Sequence, residues 1–183
     1  TILGYDALNV ISLNWVVLSG ILAGSVFTYY VFARQKWSYK SMTVIAFSAI
    51  TGYLMYFYFT IDYNLPKEML VFPVFLRSFG YVIIAVCFLT ALSRVPFHYF
   101  FQAISIQAFV SAGFGGELGT AVLGHALTAA VKKNAMLLGA TLDRVHPFAG
   151  RIPRGELYGA LQQQALMISM KELYGWLTLF GLA

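Results

Sequence analysis

Arg77 and Glu117 are the residues of this 183-residue sequence best suited to chemistry, because each is a charge set inside a long apolar run. A charge at the centre of a bilayer costs about 2.5–3.5 kcal/mol on insertion scales, so it must find a partner or a wet cavity. Arg77 lies eight residues into its run, and Glu117 nine residues in from the same face if that helix core ends near Ala126. Both depths come to about 12–14 Å at the helical rise. The two runs are consecutive and antiparallel, which puts an Arg77–Glu117 pair within geometric reach. In one role such a pair only fixes helix packing. In the other, the guanidinium or the carboxylate faces a cavity and meets substrate or a proton. A lone carboxylate among apolar groups favours its protonated form, as a proton-linked switch requires, and an arginine partner opposes this.

Other chemistries lack their residues. The single cysteine, Cys87, sits in an apolar run, which excludes an internal disulfide and any cysteine-based metal site. His98 has no second His, Asp or Glu at ligand spacing, so no metal is expected. There is no Gly-Lys-Ser/Thr phosphate loop. The glycines of 113–119 resemble a dinucleotide fingerprint only loosely, without a preceding strand. No Ser/His/Asp grouping or paired carboxylates point to hydrolysis, so neither an enzyme nor a cofactor is expected.

The elements that must position Arg77 and Glu117 are membrane helices. Only 10% of the residues are charged and 60% are hydrophobic, against roughly 25% and 45–50% in ordinary soluble domains. Four stretches, about 8–33, 41–61, 69–92 and 100–131, reach the roughly 20 residues that span a hydrocarbon core. The expected fold is all-α, a polytopic membrane helix bundle. The apolar ending LYGWLTLFGLA predicts a truncated fifth membrane helix over 168–183, and with it a fragment of a larger protein. Between them, 132–167 mixes charge with apolar residues and reads as an amphipathic helical segment outside the membrane, broken at His146-Pro147 and Ile152-Pro153.

Spacing within the runs predicts how they pack. Gly20 and Gly24 form a small-xxx-small pair, as do Gly115 and Gly119, and such pairs let helices approach closely. Five glycines between Gly113 and Gly124 would cripple a soluble helix at about 1 kcal/mol each, so this fourth helix is expected to be buried in a bundle. Tyr53, Tyr56 and Tyr58, interleaved with Phe57 and Phe59, resemble an aromatic belt at a water interface; a ligand-binding aromatic box is the less favoured alternative. The connector carrying Arg34, Lys36 and Lys40 is cytoplasmic by the positive-inside rule. The five basic residues of 132–167 pull the opposite way, so charge alone leaves the topology open.

A family resemblance decides it. Pro73-Val-Phe-Leu76-Arg77-Ser-Phe79-Gly80 is similar to the Pro-x-x-Leu-Arg-Gly-x-Gly stretch in the twelfth helix of the fourteen-helix drug:proton antiporters of the major facilitator superfamily. The stretch from Phe101-Gln102 through Gly115-Gly116-Glu117-Leu118-Gly119-Thr120 resembles their thirteenth helix. The segment ending Leu161-Gln-Gln-Gln through Leu173 is similar to the extracytoplasmic loop before their last helix. Ala33-Arg34-Gln35-Lys36 takes the place of a degenerate cytoplasmic loop motif. Ser78 stands where the family has glycine, and Glu117 where it has a small or apolar residue.

The resemblance implies the last third of a transporter in the bacterial inner membrane, exporting lipophilic or cationic compounds against proton entry. A cavity would be lined by Asn14, Trp15, Arg77, Tyr81, Gln107 and Glu117, with Arg77 as the charge anchor. Implied partners are membrane lipids, substrate and protons, the N-terminal helices of the same polypeptide and a periplasmic adaptor, with no nucleic acid. The proton-coupling carboxylates of the N-terminal half would be absent, so this piece alone is not expected to transport. The alternatives are a non-transporting scaffold or pseudo-transporter half, and a membrane-embedded enzyme acting on lipids.

Overall fold

The computed structural model describes residues 7–62, 65–145 and 154–182, all helix and connectors, with no strand among them. Helix α1 spans Ala7–Thr28 and continues into a π-helical turn, Tyr29–Arg34. Helix α2 spans Tyr39–Thr60 and α3 spans Glu68–Leu92. Helix α4, Phe97–Phe109, runs through a π-helical segment, Val110–Leu118, into α5, Gly119–Val145. Helix α6 spans Arg154–Leu182. The stretches Leu13–Val31 (α1 with part of the π turn), Tyr39–Thr60 (α2) and Glu68–Leu92 (α3) are long and apolar enough to cross a membrane.

The connector between α1 and α2 turns at Lys36, whose φ of 56° is left-handed. Ser38 then caps α2, its Oγ accepting from the Ser41 N–H. Helix α3 is central to this part of the molecule and packs on both α1 and α2. Small residues make those seams. A Cβ built on Gly20 would lie 2.8 Å from both the Phe75 carbonyl and the Ser78 Cβ, and one on Gly24 would lie 3.0 Å from the Phe79 carbonyl. On the opposite side of α3, a Cβ on Gly80 would come 2.8 Å from the Ala46 carbonyl. Below the glycines, Val31, Met42, Ala46, Ile83 and Cys87 form a buried apolar cluster.

The outward faces reverse the soluble pattern. Trp15, Leu22, Val26, Phe47, Phe59, Tyr81 and Leu89 are all exposed, while small residues occupy the seams. In water this arrangement would waste the apolar surface; in lipid the bulky groups are solvated and close backbone approach drives association. The hydroxyls agree. Thr28, Thr43, Thr60, Ser78 and Thr90 each donate to the carbonyl four residues back in their own helix, which satisfies them without water.

Two expectations change. The stretch 100–131 is not among the three span-length apolar helices, because the π-helical segment divides it and α5 turns polar from Lys132. Nor is it buried: α4 touches only the margin of α3, and Phe101, Phe109, Val110 and Val122 are exposed. A Cβ on Gly124 would meet nothing within 4 Å, and one on Gly115 would approach only the Val110 carbonyl of the same segment. The glycines there loosen the helical path into a wide π turn and do not seat a neighbouring helix. The path from Phe97 to Val145 is continuous and about 70 Å long, more than a whole bilayer.

The second change concerns 132–167. Most of it belongs to two long helices, because α5 runs to Val145 and α6 starts at Arg154, well before Ile168. The proposed breaks at His146-Pro147 and Ile152-Pro153 lie outside the described residues. Helices α5 and α6 pack together, and α6 also packs on α2. Between α5 and α6, the buried Asn134 Nδ2 donates to Ser169 Oγ at 2.9 Å, and Ser169 Oγ donates to the Ala165 carbonyl at 2.7 Å. Ser169→Ala leaves a buried amide N–H without its acceptor and should cost about 1–3 kcal/mol. Thermal unfolding of the detergent-purified protein checks this, and Asn134→Leu added to Ser169→Ala should recover part of the loss.

Candidate functional site

Arg77 reaches away from Glu117. Its guanidinium carbon lies 6.0 Å from the centre of the Tyr53 ring of α2, at the outer limit of a cation–π contact. Tyr174 of α6 stacks on Phe57 at 5.3 Å and meets Tyr53 edge-on at 6.5 Å. Tyr53 and Phe57 are one turn apart on α2, with ring centres at 5.1 Å. Arg77 is thus placed beside an aromatic cluster contributed by two helices, α2 and α6. The i, i+4 pair Tyr53/Phe57 is visible in the sequence, but nothing in it announces Tyr174, which is 121 positions further on.

Glu117 lies on the exposed surface of the π-helical segment. That segment makes its main contacts with α4 and α5, and Arg77 and Glu117 form no ion pair. The expected pair assumed that α3 and the glycine-rich helix lie side by side at mid-depth. They diverge instead, which separates the two charges.

One turn along α3 from Arg77, Tyr81 opens a groove between α3 and the α4–π junction. Its volume is about 890 Å³. The α3 wall is Tyr81, Ile84, Ala85 and Phe88, at helical spacing; the opposite wall includes Ala103, Ile106, Gln107 and Ser111. Gln107 Nε2 donates to Ser111 Oγ at 3.4 Å across the start of the π turn. An apolar trough with a few convergent polar groups is the usual form of a small-molecule site.

The structure therefore brings Tyr81 and Gln107 into one groove, with Arg77 a turn above. Asn14 and Trp15 are exposed on α1, and Glu117 is exposed beyond the groove; none of the three lines it. Gly20 and Gly24 sit in the α1–α3 seam, whereas Gly115 faces only the Val110 carbonyl of its own segment. Arg34, Lys36 and Lys40 are exposed around the α1–α2 connector, where Arg34 lies 5.8 Å from the Tyr30 ring. Among the described residues no group of three His, Cys, Asp or Glu is arranged to hold a metal.

No protein-family model, no curated protein and no solved structure matches this chain.

Proposed function

We propose that this chain belongs to a secondary transporter of the bacterial inner membrane that moves small lipophilic or cationic compounds in exchange for protons. The groove between α3 and the α4–π junction carries the reading. Its walls suit an apolar substrate body, Tyr81, Gln107 and Ser111 supply orienting hydrogen bonds, and Arg77 sets the local charge. One wall is a π-helical segment, a departure from α geometry that recurs at functional sites and that few contacts hold in place. In this reading the α4–π–α5 path crosses the membrane beside α1–α3, the Arg34–Lys40 connector is cytoplasmic, and α6 is peripheral. Further helices of the same polypeptide complete the cavity around the exposed π segment. The proton-coupling carboxylates then lie in those helices, and a periplasmic adaptor is a partner of the assembled transporter.

Ala103→Trp tests the reading, because the indole fills the groove from the α4 side, where Ala103 is only half-buried. The protein at its full encoded length, reconstituted in liposomes, should release protons when substrate is added. The variant should lose at least about tenfold in rate, the equivalent of about 1.4 kcal/mol. Undiminished proton release by a well-folded Ala103→Trp protein would remove the groove from the transport path. Absence of any substrate-dependent proton release in the unaltered protein would favour a scaffold.

A further inference from the structure

We infer that a second groove, between α2 and α6, is a seat for a membrane phospholipid with an ammonium headgroup. This goes beyond the transport reading and needs only that α2 spans the bilayer. The groove holds about 380 Å³; its α6 wall includes Glu172, Gly175, Trp176, Leu179 and Leu182, and its α2 wall is Met55, Tyr58 and Phe59. The α6 residues fall at i, i+3, i+4, i+7 and i+10, one continuous face.

The two helices run antiparallel. Asp62 shares a cavity with Gln163 and Met167, Tyr58 lies against Gly175, and the Thr51 hydroxyl donates to the Gly181 carbonyl. Helix α2 ends at Thr60, the end of a membrane-length span. Glu172 therefore stands near the headgroup level, and Leu182 about 15 Å deeper along the helix axis. Polar at the boundary and apolar below, the trough matches a lipid standing upright with its headgroup beside the carboxylate.

Charge and rings specify the headgroup. Glu172 is half-buried and engaged in no ion pair or hydrogen bond among the described residues. Tyr58 and Trp176 expose their rings beside it, 41% and 66% accessible. An anion sharing one groove with two electron-rich rings favours an ammonium and disfavours an anionic headgroup. Gly175 makes the seat possible: a Cβ there would stand 2.9 Å from Tyr58 Cε2, so any side chain would push the tyrosine out of position.

The test uses the full-length protein in liposomes containing tail-brominated phosphatidylethanolamine, phosphatidylglycerol or diacylglycerol at equal mole fraction. Trp176 emission is read as the difference between the protein and its Trp176→Phe variant. Phosphatidylethanolamine should quench it about three- to fivefold more effectively than either of the other two, and Glu172→Gln should level the three. Should Glu172→Gln fail to fold, Gly175→Val should level them by displacing Tyr58, and the three-lipid comparison on the unaltered protein stands alone. Equal quenching by all three lipids in the unaltered protein overturns the seat and leaves ordinary annular lipid. A phosphatidylethanolamine preference that survives Glu172→Gln overturns the role of the carboxylate.

Discussion

Gly80→Val should be the most damaging single substitution in the α1–α3 unit, costing about 3 kcal/mol and leaving little folded protein after extraction. The position has no slack. Its absent Cβ would sit 2.8 Å from the Ala46 carbonyl, 3.0 Å from Ile50 Cγ1 and 3.2 Å from Ala49 Cβ. A carbonyl belongs to rigid helix backbone, so relief requires α2 and α3 to move apart. Overpacking of this kind typically costs about 1–3 kcal/mol in a soluble core. Here it also separates the seam that buries Met42 and Ile83, and in lipid close packing is itself the source of association. Gly52→Ala is the matching control, since its nearest neighbour is the movable end of Leu76 at 3.1 Å, and it should be close to neutral. Monodispersity on size-exclusion chromatography and the thermal midpoint in detergent measure both. A Gly80→Val protein as stable as the parent would show that α2 and α3 do not meet at this point.

Arg77→Gln should lower substrate-dependent proton release by about 10- to 100-fold while the protein remains folded. The side chain is largely exposed and makes no ion pair, so its removal strands no buried carboxylate. Its loss removes the only positive charge of α3, one turn from the groove that Tyr81 opens. Hydrogen bonds to a charged group contribute about 1.5–3 kcal/mol, which corresponds to that range of rates if they are made to substrate in transit. Arg77→Lys keeps the charge but loses the planar guanidinium beside Tyr53, and should restore part of the rate. Transport by Arg77→Gln at the parental rate would confine Arg77 to packing beside Tyr53 and Tyr174. A purely structural arginine would instead lower the thermal midpoint in both variants and leave the rate per folded molecule unchanged.

Much of the helical layout was readable from composition and local pattern. The long apolar runs around Gly20, Gly52 and Ile83 admit only helices of membrane length, because a bilayer leaves backbone N–H and C=O groups nothing else to bond. The Gly20/Gly24 spacing marks a face at which another helix can approach, and α3 lies there. The positions of Tyr81 and Gln107 within their helices were equally plain, though not that the two would face each other.

Local rules do not decide long-range contacts. Glycine density over 113–124 is compatible with close helix packing, but the same freedom allows a π turn, and only the neighbours distinguish the two. Arg77 and Glu117 stand at similar depths on consecutive helices, yet depth says nothing of azimuth, and the α4–π path diverges from α3 before it reaches Glu117. Tyr174 joins Tyr53 and Phe57 because α6 folds back on α2, a docking that no periodicity encodes. The mixed charge of 132–167 suggests short amphipathic helices, whereas its flanks, 132–145 and 154–167, are parts of the long helices α5 and α6, which Asn134 and Ser169 join.

By itself the sequence determined that the chain is helical, where the three span-length apolar stretches of its first part lie, and that Gly20 and Gly24 permit close approach. These follow from backbone hydrogen bonding and side-chain volume, properties of each segment alone. Only the tertiary structure decided which helix fills each small-residue face, where Arg77 points and which surfaces stay open as grooves. Those depend on the relative rotation of rods whose outer faces are nearly uniform in hydrophobicity, so the apolar pattern carries no signal for them and contact geometry has to choose.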